Sequence, residues 1–188
     1  MDLLFFIGVL LMMGLTNYDV VLVLVLVALY PYLRLTGRLR LFGAFGIAVL
    51  MSVAWGYFAV DFYQYALTGL KIGVFNLYPV FFWTYGLFIV KLVYSDLKPL
   101  FRARGKATKL LIFSSLFWVG LITAEYVAFH LFGIRNLATA GNPGLPLIDA
   151  IHAPLWMQVS YFLMGPLYFL LLETAEARIS FFRGRNRR

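Results

Sequence analysis

Residues 41–60, LFGAFGIAVLMSVAWGYFAV, run for twenty positions without one charged side chain. A helix of that length reaches about 30 Å, the thickness of a bilayer's hydrocarbon core. A water-soluble helix would carry a charged face, and this segment has none. Comparable apolar segments lie at 74–94, 110–133 and 154–172. In hydrocarbon the backbone must satisfy its own N–H and C=O groups, so only helices and closed barrels span a membrane. Segments of about twenty residues, not about ten, select helices. The chain is therefore expected to be all-α: a polytopic integral membrane bundle forming one transmembrane domain over residues 1–188, with a basic tail at 173–188. Composition agrees, since 63% of the 188 residues are hydrophobic and 13% charged, against about 45–50% and 25% in soluble domains.

The N-terminal third of the pattern has two solutions. Leu3–Leu15 and Val20–Leu33 are apolar, separated by Thr16, Asn17, Tyr18 and Asp19. Each half reaches only about 20 Å, while one helix over 3–33 reaches about 46 Å and must tilt or protrude. One long span gives five transmembrane helices; two short ones give six. A cleaved signal peptide is not expected, because no Lys or Arg precedes the apolar run and no small-x-small site follows it.

Charge placement predicts the orientation. Thirteen of the 16 Lys and Arg fall in the loops at 34–40 and 95–109 or in the tail, and Lys91, near the end of its span, reaches to the same side, while only Lys71 and Arg135 lie in the other two loops. Such asymmetry places the basic side and the C-terminus in the cytoplasm, with Asp2 slightly favouring an external N-terminus and hence five spans. The protein is thus expected in a cell or inner membrane, crossing it several times. The net charge of +8 then belongs to membrane flanks and anionic headgroups, not to nucleic acid. There is no cysteine, so thiolate metal sites, disulfides and Cys nucleophiles are excluded.

Several local features bear on packing. Gly43 and Gly46, with Ala44 and Ala48, offer small faces for close helix approach. Gly165-Pro166, in the middle of the last span, is expected to kink it. Runs such as Phe81-Phe82-Trp83-Thr84-Tyr85 place rings all round their helix, some lining the bundle interior.

Candidate chemistry gathers in residues 118–156. This stretch holds the only two histidines, His130 and His152, together with Glu125 inside an apolar run and Asp149 three residues before His152. Glu125 lies about 12 Å below the outer end of its span. An ionisable group at that depth is costly unless paired or hydrated, which makes Glu125, and Asp19 likewise, functional candidates. Asp61, after the second span, is a neighbour on the same side. Glu125 and His130 stand five residues apart, about 140° round an α-helix, so they do not form one metal-binding face. Asp149 and His152 share a face only if their segment is helical. No motif tied to a reaction is present.

Three functions follow as expectations. The first is an enzyme performing acid/base chemistry on a lipid-soluble, isoprenoid-like substrate in an aromatic-lined pocket. Glu125 would act as acid or base, His130 and His152 would shuttle or orient, and Asp61 and Asp149 would support them. The second is a membrane subunit or anchor holding haem b between His130 and His152, or a quinone. A transporter or channel is third, since the polar groups keep to one side and no inverted repeat is visible. The partners are the bilayer and a hydrophobic small molecule, with a homo-oligomer or a larger membrane complex left open.

Overall fold

Five helices carry the described chain. The computed structural model describes residues 18–65 and 70–185. Helix α1 spans Tyr18–Leu35, α2 Phe42–Phe58, α3 Leu77–Leu97, α4 Lys106–Tyr126 and α5 Leu155–Arg185. Single 3-10 turns at Leu39–Leu41, Val60–Phe62 and Lys98–Phe101 extend the helix ends, and a π-turn at Val127–Leu131 continues α4. Between α2 and α3, strands β1 (Lys71–Ile72) and β2 (Phe75–Asn76) form a minimal hairpin with Lys71 opposite Asn76. Asn76 then caps α3, its side chain accepting from the Tyr78 N–H at 2.9 Å.

Four of these helical segments, Leu39–Phe58, Leu77–Phe101, Lys106–Leu131 and Leu155–Arg178, are long and apolar enough to cross a membrane. The fold is that of a multi-pass helical membrane protein. The expected first span, 3–33, lies partly outside the described residues, as do Asn17, Arg187, Arg188 and the side chain of Asp19. Within α1, Val21, Val25, Leu29 and Leu33 are buried at a spacing of four, one stripe that packs on α3. Val23, Leu24, Val27 and Tyr30 of the same helix point outward, as side chains facing lipid would.

The observed boundaries lengthen the helices. Residues 95–109, expected as a loop, are mostly helical: α3 and its 3-10 turn continue to Phe101, and α4 begins at Lys106. The expected basic tail from 173 is instead the continuation of α5 to Arg185. Two ion pairs tie this basic end together, Arg38 with Asp96 at 2.8 Å and Lys91 with Glu176 at 3.1 Å.

Glycine packing differs from expectation. Among the described residues a Cβ on Gly43 or Gly46 would meet nothing within 4 Å, so neither seats a neighbouring helix, whereas Ala44 and Ala48 of the expected small faces are buried. Gly56 does, because its Cβ would fall 3.0 Å from Val80 Cγ2 and 3.1 Å from Phe75 Cζ. Gly165 is tighter still, with the ring of Phe117 lying where a Cβ would be. The ring of Phe117 occupies the space that any larger residue on α5 would need.

Helix α5 runs through Pro166 without a break. A proline has no N–H, so the carbonyl four residues earlier, that of Phe162, loses its helical donor. The indole N–H of Trp118 on α4 donates to that oxygen at 2.8 Å. The expected weak point of α5 is therefore a cross-link between two helices.

Candidate functional site

The end of the bundle opposite the ion pairs is closed by two loops joined to each other. The side chain of Asn136 accepts from the Gln64 N–H at 2.9 Å and donates to the Phe62 carbonyl at 2.6 Å. The Leu137 N–H adds a third bond to the Gln64 carbonyl at 2.6 Å. This clasp fixes the segment after α2, so that Tyr63 turns into the bundle and is buried while Asp61 stays exposed. Asp61 lines no part of the cavity described below. The inward groups of that segment are Tyr63 and Tyr65, whose importance their sequence setting does not announce.

The loop before α5 is shaped by its backbone. Leu147, Asp149 and Ile151 all have positive φ, at 74°, 51° and 61°, a region that costs a non-glycine residue on the order of 1–3 kcal/mol. Two bonds hold it there: Leu145 N–H to the Ala150 carbonyl at 2.7 Å and Asp149 N–H to the Leu145 carbonyl at 3.0 Å. Gly144 allows the chain to fold this closely, since its Cβ would lie 2.9 Å from Asp149 Oδ1 and 3.0 Å from the Ala150 nitrogen. Gln158 on α5 buttresses the loop by donating to the carbonyls of Pro143 at 3.0 Å and Ala153 at 2.9 Å.

Asp149 is thereby set between the two histidines. His152 Nε2 lies 3.1 Å from Asp149 Oδ1, although this segment is not helical. His130 Nε2 lies 2.8 Å from the Asp149 carbonyl oxygen and 3.7 Å from Oδ2. The π-turn carries His130 to this position. Its wider turn brings the ring round from where an α-helix would hold it.

The imidazole rings are 6.5 Å apart at 64° to each other, and Phe129 lies flat on His152 at 3.9 Å. Bis-histidine haem needs two free Nε2 atoms facing across a macrocycle. Here both face Asp149 and a phenyl ring covers one imidazole, so this arrangement does not fit haem b. No group of three or more His, Asp or Glu is placed to hold a metal ion among the described residues.

Beneath this rim lies a cavity of about 40 Å³, walled by Tyr65, Tyr78, Phe82, Phe129, Asn136 and His152, with Glu125 also facing it. It has room for one or a few water molecules. The structure thus brings Glu125 and His152 to one cavity and leaves His130 and Asp149 at its rim. Among the described residues no side chain or backbone group bonds or pairs with the Glu125 carboxyl. Tyr65 meets Tyr78 edge to face at 4.7 Å and Tyr63 in a stacked arrangement at 6.4 Å, so the wall is a continuous set of rings.

Behind that wall, Tyr63 is the hub of a buried network. Its hydroxyl accepts the indole N–H of Trp55 at 2.7 Å and of Trp83 at 3.0 Å, and lies 3.0 Å from the hydroxyl of Tyr161. An indole can only donate, and a phenol oxygen has two lone pairs. Both are taken, so Tyr63 must donate its own hydrogen to Tyr161. Tyr161 keeps its O–H for a further acceptor, and no described residue supplies one. Burial pushes the Tyr63 phenol up to about 12, against the opposing pull of the two indole N–H groups it accepts from. It likewise holds Tyr65 well above the ordinary phenol value. Both stay protonated and able to donate. Comparison with family models, with curated proteins and with solved structures finds no match.

Proposed function

We propose that this protein is an integral membrane enzyme performing acid/base chemistry at Glu125 on a lipid-soluble, isoprenoid-like molecule. One observation carries the reading: a carboxyl without a partner among the described residues faces a small cavity lined in part by aromatic rings. A structural carboxyl at this depth would be expected to have its hydrogen-bonding capacity met. The cavity admits only the reacting end of a substrate, so the remaining chain would stay among the helices or in the bilayer.

The chemistry balances with the groups present. Glu125 in its acid form gives its proton to a terminal carbon–carbon double bond, and the ring faces of Tyr65, Tyr78 and Phe82 stabilise the resulting cation. Loss of a different proton back to the Glu125 carboxylate completes an isomerisation or cyclisation. Addition of a cavity water, followed by loss of its proton to the same carboxylate, completes a hydration. His152 orients the reacting end, while Asp149 and His130 hold His152 in place. Asp61 has no part in this scheme.

The finer topology belongs to the same proposal. The expected segment 3–33 is taken as one span, giving five, with the basic end and the C-terminus in the cytoplasm. The site then opens toward the outer leaflet, and the basic residues meet anionic headgroups inside.

The test compares lipid extracts, by mass spectrometry, of isoprenoid-producing cells expressing the protein or its Glu125→Gln variant. A product dependent on the protein is expected, and it should vanish in the variant at equal protein level and unchanged melting temperature. Undiminished product from Glu125→Gln would overturn the assignment.

A further inference from the structure

A second concavity lies at the other end of the molecule, between the start of α4 and the stretch Phe169–Arg178 of α5. It is a groove of about 420 Å³, an order of magnitude larger than the Glu125 cavity. Ala107, Leu110, Phe169 and Leu170 give it an apolar floor; Lys106, Glu173, Thr174 and Arg178 bring polar groups to it. Lys106 opens one membrane-crossing segment and Arg178 closes another, so the polar part sits at the level where lipid headgroups begin.

We propose that this groove binds one phospholipid whose headgroup carries both a phosphodiester and a primary ammonium, of the phosphatidylethanolamine type. The charges present select that headgroup. Among the described residues Lys106, Arg178 and Glu173 make no ion pair, so two cations and one carboxylate share one groove with their charges uncommitted.

A phosphate answers Lys106 and Arg178, aided by the first-turn N–H groups of α4, where Gly105 provides no side-chain cap. An ammonium answers Glu173. Thr174 already donates to the Leu170 carbonyl at 2.8 Å, which leaves its oxygen free to accept. A purely anionic headgroup would leave Glu173 facing negative charge, and a quaternary ammonium has no hydrogen to give it. An acyl chain covers the apolar floor, whose ring, Phe169, packs on Tyr94 at 5.9 Å. The Tyr94 hydroxyl is the one buried side-chain polar atom without a hydrogen-bond partner among the described residues. Polar capacity is thus unspent behind the groove as well as in it.

The site is independent of the reaction at Glu125, and so is its test. The purified protein, stripped of lipid in detergent, is offered dioleoyl phosphatidylethanolamine, phosphatidylglycerol or phosphatidylcholine, and bound lipid is counted by native mass spectrometry. Phosphatidylethanolamine should be retained about threefold better than phosphatidylcholine, as one half-exposed charge-assisted contact gives. Lys106→Ala with Arg178→Ala should lower its retention by at least about threefold, whereas Arg102→Ala with Arg104→Ala, outside the groove, should not. Glu173→Gln should remove the preference over phosphatidylglycerol without lowering phosphatidylglycerol itself. Leu110→Trp, which fills the floor, should reduce all three lipids. Equal retention of the ethanolamine and choline lipids, a preference for phosphatidylglycerol in the unmodified protein, or unchanged retention in the Lys106/Arg178 variant would each overturn the proposal.

Discussion

The indole of Trp118 supplies the hydrogen bond that Pro166 withholds from the Phe162 carbonyl, at 2.8 Å. A defect internal to one helix is thus repaired by its neighbour, and the repair fixes how α4 and α5 meet. The same contact region holds Gly165 against Phe117.

Trp118→Phe should destabilise the protein by about 1–2 kcal/mol, since a half-buried carbonyl loses the one donor it has among the described residues. Pro166→Ala restores the helical N–H, so in that background Trp118→Phe should cost much less. A thermal-unfolding cycle in detergent measures the difference; equal cost in both backgrounds would refute the repair.

Tyr63→Phe removes the acceptor of two buried indole N–H groups and should cost about 2–4 kcal/mol, more than Tyr161→Phe. Folding raises the Tyr63 phenol from its ordinary value of about 10 to about 12. Its share of stability is therefore fully present below pH 10 and is lost as pH rises through about 12. Alkaline unfolding curves should show this loss in the native protein and a smaller one in Tyr63→Phe.

Gly165→Ala forces a methyl group into Phe117 and should cost about 1–3 kcal/mol, relieved by Phe117→Leu in the same chain. Gly46→Ala meets nothing and should be neutral or stabilising by up to about 1 kcal/mol. Melting temperatures of the three variants decide this.

Because the chain has no cysteine, single introduced thiols report topology directly. A membrane-impermeant thiol reagent applied to intact cells should modify Gly141→Cys and spare Arg104→Cys. The reverse pattern would invert the proposed orientation.

The bundle was legible where one physical effect dominates. An uncharged run such as 41–60 has few alternatives to a membrane helix, and α2 lies within it. Other features needed tertiary information. Gly43 and Gly46 have the spacing of a packing face, but a glycine packs only where a neighbour arrives, and here the neighbours came to Gly56 and Gly165. Asp61 was the conspicuous charge after the second span, yet exposed charge is cheap in that position. The Asn136 clasp, sixty or more residues distant, turned Tyr63 and Tyr65 inward instead.

Within the site, Glu125 announced itself through its cost in an apolar segment. The relation of His130 to Asp149 could not be read, because it depends on a π-turn and three left-handed residues that have no glycine to mark them. The hydrogen bonds of Tyr63 were equally hidden, since Trp and Tyr are abundant in any membrane protein. Gln158 and Asn136 hold the loops through backbone carbonyls, which any sequence supplies.

The Asn136 clasp also bears on the route into the cavity. A solute entering from the aqueous side between the two loops would break three short hydrogen bonds at once. A lipid-soluble substrate of the kind proposed would approach sideways, between helices, with all three intact. The roof would then act as a filter by phase, excluding water-borne solutes by where they come from rather than by their shape.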